Sequence, residues 1–127
     1  MNIRLDPADI AFSKAIRLRD GKCMRCGSMV RLNLEGMPAS HTTSHYFGRG
    51  NENTRFDPEN CDCLCLGCHQ IWASKDREDY RLFKIAQLGE EGFESLFLRS
   101  KHIVKKDRKM ALIQSREFLK AAIAERI

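Results

Sequence analysis

Two Cys-x-x-Cys turns, Cys23-Met-Arg-Cys26 and Cys65-Leu-Gly-Cys68, constrain this chain more than any other feature of it. Such a turn lets two thiolates reach one ion while nearby backbone N–H groups bond the sulfurs. Two turns together make a closed tetrahedral four-sulfur site, the signature of structural zinc. Cys23, Cys26, Cys65 and Cys68 are therefore expected to meet around one ion. Cys61 and Cys63 share the strand parity of Cys65, so they are expected to point to the same face as small buried hydrophobes beside the metal. Their use as ligands stays open. No βαβ pattern surrounds either turn, which argues against a disulfide or a thioredoxin-like redox pair.

The chain has 127 residues, of which 43% are hydrophobic. That length predicts one domain, and a core of this size gains from a staple such as a metal. The N-terminal MNIRLDPADI lacks the apolar run of a signal peptide, and no segment approaches the ~20 apolar residues of a membrane span. The expected setting is soluble and cytoplasmic. There, clustered cysteines usually mean metal. The net charge of +5 is uneven: residues 1–98 carry 13 basic and 14 acidic side chains, residues 99–127 carry 9 and 3. A basic tail suits a polyanion such as nucleic acid. It also suits a solvated helix face.

Three segments are expected. Residues 1–22 form a helix opened by Asp6-Pro7 and closed by Asp20-Gly21. Residues 23–75 form the metal-bound core. In it Met29–Leu34 reads as a weak strand and "SHTTSHYF" (40–47) as a second. "CDCLC" follows as a third, and a short helix begins at "LGCHQIWAS". Residues 76–127 are helical, with Gly89 closing the first helix of this part. The last helix carries Leu112, Leu119, Ala122 and Ile123 on one stripe. Tyr80, Phe83, Phe93 and Phe97 read as packing residues. The fold class is α+β.

His69 directly follows Cys68 at a helix start. Asn60 lies five residues before Cys65, and His45 lies on the preceding strand. A histidine on a strand, an asparagine, then Cys-x-x-Cys-His opening a helix resembles the HNH nucleases and their ββα-metal fold. The chain is further similar to the NinG (Rap) group of lambdoid phage recombination nucleases. "IRLRDGKCMRCG" (16–27), "SHYFGRG" (44–50), "TRFDPEN" (54–60) and "DYR" (79–81) carry that likeness, over about residues 12 to 100. It departs from the group in having His69 where Asn is frequent, and in lacking a longer N-terminal region.

The resemblance implies a zinc-stapled ββα core with flanking helices and a DNA endonuclease that uses a divalent ion. His45 would be the general base, Asn60 the loop brace, and His69 a ligand of Mg²⁺ or Mn²⁺. Imidazole also suits Co²⁺ and Ni²⁺. DNA is the implied partner, with branched recombination intermediates as one form of it. One imidazole does not hold an ion, so a second ligand is expected from His41, which shares the strand parity of His45, or from Asp57 or Asp62. Arg49 and Arg55 are candidate phosphate clamps, because guanidinium pairs bidentately with phosphate oxygens. Lys105, Lys106, Arg108 and Lys109 are candidate non-specific DNA contacts. Two other readings compete: a non-catalytic zinc-containing nucleic-acid-binding module on the same scaffold, and a protein-interaction adaptor working through the last helix.

Overall fold

In a computed structural model, residues 5–102 and 105–125 are described. Helix α1 spans Pro7–Asp20. Asp6 accepts a hydrogen bond from the Asp9 N–H and Asp9 accepts one from the Asp6 N–H, so the first turn closes on itself. Gly21, at φ 69°, ends the helix in the left-handed region that glycine adopts without steric cost.

Strands β1 (Thr42–His45) and β2 (Cys61–Leu64) form a two-stranded antiparallel sheet. Thr43 faces Cys63, and His45 faces Cys61. A short helix α2 (Leu66–Gln70) and a single π-helical turn (Ile71–Lys75) follow. The Met29–Leu34 segment forms no strand; it contributes the isolated bridges Lys22–Met29 and Leu32–Pro38.

The sheet is sandwiched. Toward α1 it presents His45, Cys61 and Cys63, which pack with Phe12 and Ile16. Toward helix α3 (Arg77–Lys101) it presents Ser44 and Asp62. Helix α3 breaks at Gly89, whose φ of 78° and ψ of 163° separate two helical halves. Its first half stacks Tyr80 on the buried Trp72, 4.5 Å apart at 13°. Helix α4 (Arg108–Glu125) lies along α1. Its buried residues are Ala111, Ser115 and Ala122, with Phe118 packed beside them. Of the expected stripe, Ala122 is buried there and Leu119 packs against the same cluster, whereas Leu112 is half-buried and Ile123 exposed, so the buried face is turned only in part. Alanines 8, 11 and 15 on α1 leave a shallow face that admits small residues of α4.

Behind β2 lies a closed polar network. Lys84 Nζ donates to Asp62 Oδ2 (3.1 Å), to Gln87 Oε1 (2.6 Å) and to the Glu59 carbonyl (2.6 Å). Tyr80 donates its hydroxyl hydrogen toward Asp62 and Ser44, at 3.0 and 3.1 Å. Both Lys84 and Asp62 are fully buried. Breaking a buried pair strands the remaining charge, at a cost of about 3–5 kcal/mol. Lys84→Met should cost that much in a denaturant titration, and adding Asp62→Leu should recover most of the loss. A double variant no better than the single one would show that the pair is not the source of the effect.

Candidate functional site

Spacing brings the two cysteine turns together. The first is folded by the Gly27 N–H donating to the Cys23 carbonyl and the Cys23 N–H donating to the Ser28 carbonyl, both at 2.8 Å. The Met24 N–H donates to the Cys63 carbonyl at 2.8 Å and docks the turn on β2. Cys65 occupies the N-cap position of α2, and Cys68 lies in its first turn. The Sγ atoms of Cys23, Cys26, Cys65 and Cys68 all lie within 4.8 Å of one another. Cys26 and Cys65 are 3.9 Å apart. Zn–S bonds of ~2.3 Å in a tetrahedron place sulfurs roughly 3.8 Å apart, so the donor set fits. The four could hold a metal ion such as zinc.

The thiols also show why a cation belongs there. The Ser28 hydroxyl beside Cys26 pulls that thiol down to about 6, while burial pushes Cys68 up to about 12. Crowded sulfurs resist joint ionisation unless a positive ion sits among them. The Cys26 N–H donates to Cys23 Sγ and Arg25 Nη1 donates to Cys68 Sγ, each at 3.4 Å, a second layer that favours thiolate.

Cys61 and Cys63 are buried, as expected, but on the α1 face and outside the four-sulfur group. Strand parity fails to carry through to Cys65 because β2 ends at Leu64 and the chain turns into the N-cap.

His45 and His69 line one cleft of about 630 Å³ between α1, the end of β1 and α2. His45 Nε2 lies 3.0 Å from the Arg55 carbonyl. A carbonyl only accepts, so Nε2 carries the proton and Nδ1 keeps its lone pair. Burial takes the imidazole down to about 4, against the pull of that hydrogen bond, so the ring is neutral near pH 7. His69 is half-buried, and burial lowers its pKa too. Among the described residues its ring has no hydrogen-bond partner.

Asn60 is fully buried and braces the loop between the strands. Its Oδ1 accepts from the Phe47 N–H at 2.9 Å, and its Nδ2 donates to the Phe47 and Thr54 carbonyls at 3.0 and 3.1 Å. The loop so held carries the Arg55 carbonyl that orients His45.

Other expected residues lie elsewhere. His41, at φ 67° before β1, bonds to Ser28 and Ser40 and stands outside the cleft, so strand parity does not bring it to His45. Asp62 belongs to the buried Lys84 network, and Asp57 pairs with Arg99 at 2.8 Å. Arg55 is 2% exposed and grips Asp9 with two guanidinium nitrogens, which makes it a buried tie and not a phosphate clamp. Arg49 does line the cleft, with Asp9 at 3.8 Å. Arg108 pairs with Asp6 and Glu52, each at 3.2 Å, whereas Lys105, Lys106 and Lys109 are exposed. Sequence reasoning missed Asp9, Ser13 and Arg17, which α1 brings to the same cleft beside Thr43 of β1. Only the helical face of α1 could have signalled these three.

Among the described residues, the four cysteines form the one group of three or more His, Cys, Asp or Glu side chains close enough to hold an ion. Among the described residues, no helix is long and apolar enough to cross a membrane. No family model, curated protein or solved structure matches the chain.

Proposed function

We propose that the chain is a metal-dependent DNA endonuclease of the HNH type, hydrolysing phosphodiester bonds in phage recombination or DNA processing. The observation that carries this reading is the pair of neutral histidines in one cleft, one with its Nδ1 lone pair open and the other with an unpartnered ring. The order β1, β2, α2, with His45, Asn60 and His69 distributed along it, supports it further.

His45 Nδ1 takes the proton of the attacking water while the Arg55 carbonyl fixes the ring. Asn60 holds that carbonyl's loop in place. His69 supplies an imidazole donor for a divalent ion. When bound, such an ion supplies positive charge against the phosphate and assists the leaving 3′ oxygen. One protein ligand is few, but ions of the Mg²⁺ type commonly complete their shell with waters and substrate phosphates.

That sparse ligand set is also what favours the second reading, a non-catalytic zinc-containing nucleic-acid-binding module. Conversion of supercoiled plasmid to nicked circles with Mg²⁺ or Mn²⁺, with His45→Ala as control, separates the two.

The depressed pKa of His45 sets the pH dependence. Unfolded, the ring binds a proton below its ordinary ~6.5; folded, it does so only near about 4. Stability therefore falls as pH drops through that window, because the unfolded chain binds the extra proton. Single-turnover cleavage at saturating DNA and metal should show no acid limb near pH ~6.5. A limb there would assign the base to another group.

The basic tail is proposed as a non-specific DNA arm. Neutralising Lys105, Lys106 and Lys109 should flatten the slope of log affinity against log salt by about 0.9 per lost phosphate contact. Adding Arg108→Gln should change binding little beyond that, because Asp6 and Glu52 already hold Arg108. A binding titration at two salt concentrations reads both. An unchanged slope would remove the tail from the interface.

A further inference from the structure

Arg17 is an arginine of the same cleft that no carboxylate among the described residues pairs with. Its Nε donates to the Ser13 carbonyl and its Nη1 to the Ser40 carbonyl, both at 3.2 Å. Ser13 lies on α1 and Ser40 just before β1, so the guanidinium is strapped between two elements and cannot swing freely. Among the described residues, Nη2 has no hydrogen-bond partner and no carboxylate pairs with the side chain. Arg19, Arg55, Arg81 and Arg99 each sit on a carboxylate, and Arg25, Arg31, Arg77 and Arg116, which among the described residues lack one as Arg17 does, do not line this cleft. Arg49, the other arginine of the cleft, has Asp9 beside it. Burial lowers the pKa of Arg17, as expected of a cation withdrawn from water without a counter-ion.

Two backbone carbonyls orient a guanidinium without neutralising it. A half-buried, oriented and uncompensated guanidinium that opens on a cleft is suited to an anion with paired oxygens. The same cleft holds the two histidines, so an anion there lies beside the proposed chemistry.

We propose that Arg17 is a positioning residue that receives a backbone phosphate of nucleic acid through Nη2 and sets the strand against His45 and His69. The inference rests on the nucleic-acid reading of the cleft but not on cleavage. Phosphate contacts of this kind fix register and orientation and carry no base information, so the effect should be the same for every DNA sequence.

The test uses the intact protein with no divalent ion added. Phenylglyoxal labelling of the parent protein, read by peptide mass spectrometry, should modify Arg17 in the free protein. Duplex DNA should protect it, and inorganic phosphate at equal phosphate concentration should not. Equal labelling with and without DNA overturns the proposal. Equal protection by free phosphate overturns it too, since the site would then take the free anion. Arg17→Gln should weaken duplex binding about tenfold and lower the salt slope by about 0.9, while Arg17→Lys keeps the slope. A folded Arg17→Gln protein with parental affinity and slope contradicts the inference. If that variant does not fold, labelling of the parent decides alone. A parent protein that binds DNA with Arg17 protected yet leaves plasmid uncut removes the endonuclease reading and leaves this one standing.

Discussion

Cys65→Ser is expected to abolish metal retention and unfold the domain. Cys65 is at once a sulfur of the four-cysteine group and the N-cap of α2, 3.9 Å from Cys26 on the other turn. Losing it leaves three donors and unties the contact between residues 23–26 and 65–68. Structural zinc contributes on the order of 10–16 kcal/mol in small metallodomains. A whole domain is stable by about 5–15 kcal/mol, so no realistic reserve absorbs the loss. Cys61→Ser is the matched control. Its side chain is fully buried against Phe12 and Ile16 but lies outside the sulfur group. Its expected cost is about 1–3 kcal/mol for a buried hydroxyl, with the metal kept. Zinc per chain after exhaustive dialysis, measured beside a thermal melt, checks both. Equal zinc loss from the two variants would contradict the ligand assignment.

The local signals of this chain were legible and the long-range pairings were not. Asp6-Pro7 and Gly21 mark α1, and Gly89 breaks α3, because capping and left-handed backbone depend on the residue at the position itself. The cysteine turns were legible because metal geometry leaves few partners for paired thiolates. Arg55 read as a loop arginine open to phosphate, because its partner Asp9 is 46 residues away. Asp62 read as a possible ligand because Lys84, which neutralises it, comes from α3. Arg17 was missed for a related reason. The carbonyl of Ser40 that helps to hold it has no sequence signal at all. In α4, the expected stripe held Ala122 and Leu119, which do pack on α1, but it left out Ala111 and Ser115, which the small residues of α1 also admit.

His45→Ala should remove cleavage while leaving the metal-bound fold and DNA binding in place. The ring packs 6.3 Å from Phe12 and bonds the Arg55 carbonyl, so its loss costs some stability. It is not one of the four clustered cysteines, and zinc content should stay parental. A general base contributes about 10²–10⁴ in rate, and no other neutral imidazole in the cleft is positioned by a backbone carbonyl as His45 is. His69→Ala should differ in kind: a weakened ion site responds to excess Mn²⁺, whereas a missing base does not.

The most direct test is therefore a plasmid-nicking assay with Mg²⁺ or Mn²⁺, run on parent and His45→Ala proteins of equal zinc content and equal DNA affinity. The account predicts nicked circles from the parent and intact supercoiled plasmid from the variant. Parent protein that binds the plasmid and leaves it supercoiled, or a variant that nicks at the parental rate, would contradict it.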